Sequence, residues 1–145
     1  MGISPSSHVT WFQAKRACEN SEKQLCNYPA AWVPACMGEP PAAFPYGATF
    51  IQGHCNDGWN EAGGALTTGD KPSCHGRGFA SDIYDMSGNL WEWTSSCGST
   101  SQCWQSGGGF SEVNADLLSC EDGHLLVGVL EASQFAGFRC CWTPQ

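Results

Sequence analysis

The spacing of apolar positions divides the chain into three stretches. Between residues 11 and 21 the apolar Trp11, Ala14, Ala17 and Cys18 recur at helical spacing, while Lys15, Arg16, Glu19 and Glu22 occupy the other faces. Thr10 stands where a helix needs an N-cap hydroxyl, and Gln13 three residues later completes a capping box. The pattern predicts an amphipathic helix. A second helix is predicted over residues 28–37, with Asn27 as its cap and Pro29 in its first turn. Its Trp32 and Cys36 form an i, i+4 pair, Pro34 should bend or shorten it, and Gly38 is a natural stop.

The middle stretch, residues 39–82, has no period. Pro40, Pro41, Pro45, Gly63, Gly64, Gly69 and Pro72 mark it as irregular, and such a length of irregular chain in a compact domain is functional or stapled. From Ile83 onward the pattern turns to short strands: residues 90–94, a strand entered through Gly107-Gly108-Gly109-Phe110, the apolar run 125–130, and 137–142. The expected class is α+β, two helices packed on a small twisted antiparallel sheet with long loops. Residues 1–8 read as a lead-in and residues 9–145 as one domain.

The third stretch opens on Asp85-Met86-Ser87-Gly88-Asn89-Leu90-Trp91-Glu92-Trp93. Gly and Asn tolerate the left-handed backbone of a turn. Such a turn brings the Asp85 and Glu92 carboxylates and several turn carbonyls toward one point, an all-oxygen set of the kind Ca²⁺ prefers. The plainer alternative is a turn feeding a tryptophan-rich core strand, with Glu92 in a salt bridge.

Composition narrows the function classes. The formal charge is −8, and the six Lys and Arg are scattered beyond Lys15-Arg16, so no basic face exists for nucleic acid. No stretch reaches the length of a membrane-spanning apolar helix, and no signal peptide is visible at the N-terminus. Aromatics reach 12% while charged residues fall to 14%, a balance that suits a loop-rich folded domain and not a disordered acidic chain. Ten cysteines, an even number with no C-x-x-C pair, point to disulfides, an oxidising compartment and an extracellular or surface-exposed location. Taken alone, they leave open a reduced protein with buried thiols. Cys55 and Cys74 are candidates to staple the middle stretch.

Several pieces recur in a telling order. They are Val9-Thr10-Trp11 with Ala14, Ala17 and Cys18; Lys23-Gln24-Leu25; Trp32 with Ala35-Cys36 and Gly38; Phe44-Pro45-Tyr46-Gly47; and Cys55-Asn56. The 85–93 motif, Gly107-Gly108-Gly109-Phe110 and Gly137-Phe138-Arg139-Cys140 complete the series. In this order, across residues 9–142, the chain resembles the formylglycine-generating-enzyme (sulfatase-modifying factor) family, a branch of the C-type lectin fold. The resemblance implies a structural Ca²⁺ held by the Asp85 and Glu92 side chains and the Gly88 and Leu90 carbonyls. A second family site would involve Asn56 and an oxygen in the 57–75 loop. The resemblance also implies disulfides Cys18–Cys140 and Cys36–Cys120. The remaining six cysteines are assigned as Cys26–Cys141, Cys55–Cys74 and Cys97–Cys103, the last two on proximity alone.

The catalytic members of that family carry a copper-binding cysteine pair just after the Gly-Gly strand. Here those positions fall near Glu112 and Leu117, and no cysteine occurs between Cys103 and Cys120. A soft Cu(I) site needs thiolates. The related iron-dependent enzymes use a His-x-x-x-His-x-Glu set, and His8, His54, His75 and His124 never approach that spacing. Cys120 is a disulfide partner before it is a displaced nucleophile. Asp116, Glu121 and Asp122 read as solvated carboxylates, and His124 beside Asp122 as a surface pair.

The same branch includes the variable proteins of diversity-generating retroelements, whose diversified residues lie between the Gly-Gly and Gly-Phe-Arg strands. The corresponding stretch here, residues 111–136, holds an apolar run where the enzymes are polar. The expected function is therefore a non-catalytic ligand-binding module for a protein or other macromolecular ligand. Its face is expected to comprise Ser111, Val113, Asp116, Leu117, His124, Leu126, Gly128, Leu130, Phe135 and Ala136, edged by Trp104 and Phe110. The alternatives are that Leu125, Val127 and Val129 simply face the core, or that the chain is a metal-dependent oxidase or oxygenase with an unorthodox site.

Overall fold

The computed structural model describes residues 2–142. Helix α1 spans Trp11–Asn20 and starts where the capping box requires. The Thr10 hydroxyl accepts from Gln13 N at 3.3 Å, and Gln13 Oε1 accepts from Thr10 N at 2.9 Å. Its Ala14 and Cys18 are fully buried. Strand β1 (Gln24–Leu25) follows, then α2, which is shorter than expected at Trp32–Met37. Pro34 accounts for the late start, because a residue without an N–H is tolerated only in the first turn of a helix. Asn27 still closes the entry, through its carbonyl: Ala31 N and Trp32 N each donate to it at 2.9 Å.

The main sheet has four strands in the order β4-β3-β2-β5. Central β2 (Trp91–Cys97) pairs antiparallel with β3 (Gln102–Ser106), which pairs antiparallel with β4 (His124–Gly128). On its other side β2 runs parallel to β5 (Ala136–Phe138), so the sheet is mixed where a wholly antiparallel one was expected. The predicted last strand is split. After β5 the chain turns at Arg139 and β6 (Cys140–Cys141) leaves the main sheet to pair with β1. Strand β3 ends at Ser106, so Gly107-Gly108 leaves a strand where the sequence suggested entry. Short 3₁₀ turns at Gly78–Ala80 and Asp116–Leu118 complete the described elements.

Two buried clusters form the core. One packs Trp93, Cys103 and Val129 against Ala14 and Cys18 of α1, with Val127 and Phe138 at its margin. The other gathers Trp32 and Cys36 of α2 with Cys26, Met86 and Cys120. Burying one indole, roughly 200 Å², contributes about 5 kcal/mol of transfer free energy. Two of these indoles also satisfy their N–H: Trp93 donates to Val9 O at 3.0 Å and Trp11 to Thr94 O at 2.8 Å.

All ten cysteines pair as expected: Cys18–Cys140, Cys26–Cys141, Cys36–Cys120, Cys55–Cys74 and Cys97–Cys103. The first two tie α1 and β1 to the C-terminal strand, and the third ties α2 to the 3₁₀ turn region. The fourth holds the irregular middle stretch, where the Arg77 guanidinium adds a clamp by donating to the carbonyls of Met37, Pro40 and Pro45.

Candidate functional site

The 85–93 turn is built on left-handed backbone at Asp85 (φ 60°), Gly88 (φ 78°) and Asn89 (φ 65°). Gly88 is obligatory for a second reason: a Cβ there would lie 2.4 Å from the Asn56 carbonyl oxygen. The turn joins three parts of the chain. Gly88 N donates to Gly107 O at 2.7 Å, Asn89 N to Asn56 O at 2.6 Å, and Ser87 Oγ to Leu118 O at 2.8 Å.

Glu92 is buried and both its oxygens are engaged. Trp32 Nε1 donates to Oε2 at 2.8 Å, and the Arg139 guanidinium approaches along its fork, with Nη2 2.8 Å from Oε1. Arg139 Nη2 also donates to Tyr84 O at 2.8 Å. Burial alone would lower the Arg139 pKa, but the Glu92 and Asp85 carboxylates outweigh it, so the group is held charged. Asp85 accepts from Gly69 N at 2.9 Å through one oxygen, and no donor reaches the other among the described residues. Burial pushes the Asp85 carboxyl above its usual range, against the Gly69 N–H and Arg139.

Asp85, Leu90, Glu92 and Arg139 line one cavity of about 600 Å³, roofed in part by residues 3–6. Two carboxylates face one guanidinium there. The Asp85 oxygen without a donor and the excess negative charge fit a hard cation in donor chemistry; Leu90 lines the same cavity, and Gly88 is not among its lining residues. Such an ion would share Glu92 with Arg139 and Trp32. Nearby, Asn56 Oδ1 is buried with no donor among the described residues.

The C-terminal stretch falls into two groups. The first lies on β4 and β3, where Trp104 and Leu126 are cross-strand partners and His124 pairs with Ser106. The His124 ring packs against Trp104 (5.1 Å) and Tyr28 (5.0 Å). Tyr28 Oη donates to Glu121 O at 2.6 Å and lies 2.7 Å from His124 Nδ1, which is itself 3.1 Å from Glu121 O. Burial raises the Tyr28 pKa, with Asp122 and Glu121 adding to it, so the phenol stays a donor. His124 thus answers to Tyr28, where the sequence pointed to Asp122.

The second group surrounds the turn after Gly109. Phe110 packs on Phe135 (5.1 Å), and Ser111 and Val113 are exposed beside Gly58, whose missing side chain leaves room for Val113. Exposed Trp59 follows Gly58. Asp116 is exposed and Leu117 half-buried on the 3₁₀ turn; Leu130 is exposed at the far end of β4, next to the start of α1. Ala136 departs from expectation. It is buried in β5 opposite Trp91, so it supports the sheet and offers nothing to a ligand. Of the apolar run, Val127 and Val129 pack on the core while Leu126 and Leu130 point outward.

The positions aligned with catalytic cysteines do local structural work. Glu112 Oε1 accepts from Val113 N and Asn114 N, bracing its own turn. Cys120 is buried in its bridge to Cys36, and no cysteine among the described residues is free. Residues 2–144 match the sulfatase-modifying factor enzyme 1-like domain. The chain belongs to that family. Among curated proteins none matches the sequence significantly. Solved structures share the fold at low identity. PvdO from Pseudomonas aeruginosa superposes at TM-score 0.70 with 13% identity, over 93% of this chain and 60% of that one. CarF gives 0.69, 15%, 96% and 67%, and Treponema denticola variable protein 1 gives 0.71, 14%, 94% and 70%. The chain spans about three fifths of PvdO, so these structures share its α+β, C-type-lectin-like frame and carry further residues beyond it.

Two contributors escaped the sequence reading. Tyr28 sits almost a hundred residues from His124 and carried no motif. Gly58-Trp59 lay in the stretch without a period, where only an exposed tryptophan after glycine could have marked it.

Proposed function

We propose that this domain is a non-catalytic binding module that presents its C-terminal surface to a protein ligand. The observation that carries the reading is the contrast within residues 107–135. The backbone is anchored at Gly107, Leu118 and Cys120, while Ser111, Val113, Asp116, Leu126, Leu130 and Phe135 are exposed. Those side chains can vary without disturbing the core. The absence of cysteine at the aligned catalytic positions supports the same reading. The likeness to a Treponema denticola variable protein supports its extension to a retroelement-diversified protein. Five disulfides suit an oxidising, extracellular or surface location.

The test is a library randomised at the exposed positions. Most members should keep the parental melting temperature, and selection against a panel of folded proteins should return binders. General unfolding of the library would refute the display reading. The retroelement extension predicts a neighbouring reverse transcriptase gene and a near-copy of the 3′ coding segment differing at adenines.

Calcium is a separate proposal. Asp85, Gly88, Leu90 and Glu92 would hold it as a structural ion that braces the 85–93 turn beneath this surface. Chelation should lower the melting temperature, and Asp85→Asn should remove that sensitivity. An unchanged melting temperature in chelator would leave Arg139 as the only counter-cation of Glu92.

A further inference from the structure

The β4 edge of the main sheet is open. It is the terminal strand, and among the described residues no strand pairs with its outer side. Two bonds set the parity of its ladder with β3: Gly107 N to Gly123 O at 2.8 Å and Val129 N to Ser101 O at 3.0 Å. Bonded residues alternate along an antiparallel ladder. Leu125 and Val127 therefore bond β3, and the backbone groups of His124, Leu126 and Gly128 face outward. Two of those groups are closed locally, since His124 N donates to Asp122 O and Gly128 O accepts from Glu131 N. His124 O, Leu126 N, Leu126 O and Gly128 N remain, in the acceptor–donor order of a strand awaiting a neighbour.

Open edges are normally blunted by charge, proline or a bulge. The β4 sequence His-Leu-Leu-Val-Gly holds no formal charge and no proline, and its register with β3 is unbroken. The charges stand just beyond its ends. Exposed Glu121 and Asp122 precede it, exposed Glu131 follows it, and a Cβ on Gly128 would lie 3.2 Å from Glu131 Oε1.

We propose that β4 accepts an extended segment of a partner protein, apolar at its centre and basic at its ends, as a fifth strand of the sheet. This rests on the binding-surface reading, because His124, Leu126 and Gly128 belong to that surface, and it states how that part of it holds a partner. Charge selects the occupant. A second copy of the chain is the wrong one: antiparallel pairing about Leu126 sets Glu121 of one copy against Glu131 of the other, and parallel pairing sets each acid beside its own equivalent. Like charges so placed repel, whereas lysine or arginine at both ends of an incoming strand meets an acid at each. The backbone supplies affinity, and the side chain beside Leu126 lies against that exposed leucine, which favours an apolar residue there.

The probe is a short synthetic peptide alternating valine and threonine with two lysines at each end, followed by fluorescence anisotropy on the oxidised protein. It should bind, and bind more weakly as salt rises. Methylating the central backbone nitrogens should weaken binding by about tenfold or more, since two or more hydrogen bonds are lost. Glutamate ends in place of lysine should weaken it comparably, and Leu126→Lys on the protein should abolish it with the melting temperature unchanged. Equal binding of the methylated peptide would overturn strand addition while leaving a side-chain-reading surface intact. No binding of the lysine peptide, or concentration-dependent dimers that Leu126→Lys dissolves, would overturn the proposal as well. The surface reading stands or falls separately, on the tolerance of the randomised library.

Discussion

The Glu92–Arg139 pair offers the sharpest quantitative test of how the 85–93 motif works. The two side chains meet at 2.8 Å with 10% and 27% of their surfaces exposed. Removing one partner of a buried pair costs about 3–5 kcal/mol, because the other charge is left without compensation. Arg139 keeps some contact with water, which reduces the figure to about 2–4 kcal/mol here. At roughly 3 °C per kcal/mol for a domain of this length, Glu92→Gln or Arg139→Gln should lower the melting temperature by about 10 °C. Arg139→Gln should cost more, since it leaves Asp85 and Glu92 on one cavity wall without a counter-charge. The double variant should cost about 2 kcal/mol less than the sum of the singles. The assay is thermal and urea unfolding of the four proteins, in chelator and in Ca²⁺. With the calcium proposal in force, Ca²⁺ should recover part of the Arg139→Gln loss. Additive single effects, or a cost below 1 kcal/mol for Arg139→Gln in chelator, would refute the claim that this pair organises the turn.

Other expectations are simpler to check. Denatured, unreduced protein should give no thiol signal with a colorimetric reagent; two reactive thiols that bind Cu(I) would revive the oxidase reading. The Cys26–Cys141 bridge spans 115 residues, but with Cys18–Cys140 in place it closes a loop of only about nine. Replacing both of its cysteines by serine should therefore cost about 2.5 kcal/mol in urea unfolding, not the ~5 kcal/mol of an isolated loop of that span. Gly88→Ala should cost about 3 kcal/mol or more, because it combines left-handed backbone with a 2.4 Å approach to Asn56 O. Val113→Ser and Leu130→Ser should leave stability within about 0.5 kcal/mol while altering ligand recognition.

Much of the fold was legible in local pattern. Thr10 and Gln13 announced the start of α1, because a capping box involves only neighbours along the chain. Trp91 and Trp93 announced the central strand. The strands that were misread were missed for two different reasons. Gln102-Cys103-Trp104-Gln105-Ser106 has too little apolar content to declare itself, yet it pairs on both sides. The parallel pairing of β5 with β2 joins residues more than forty apart, and nothing in Ala-Gly-Phe specifies its direction.

The candidate surface divides in the same way. Composition, cysteine positions and the absence of thiols at residues 112 and 117 were properties of the chain alone. They pointed to an oxidising compartment and away from a thiolate copper site, while the family was read from the ordered motifs of residues 9–142 and the Cys18–Cys140 and Cys36–Cys120 bridges only from that resemblance. Which members of the 111–136 stretch face water was decided by the sheet. Alternation along β4 sends Val127 inward and Leu126 outward, and pairing with Trp91 buries Ala136. Tertiary packing also chose the partners of the charged groups, giving Glu92 to Arg139 and His124 to Tyr28. A sequence records which groups can bond; only the closed chain sets the distances that decide which of them do.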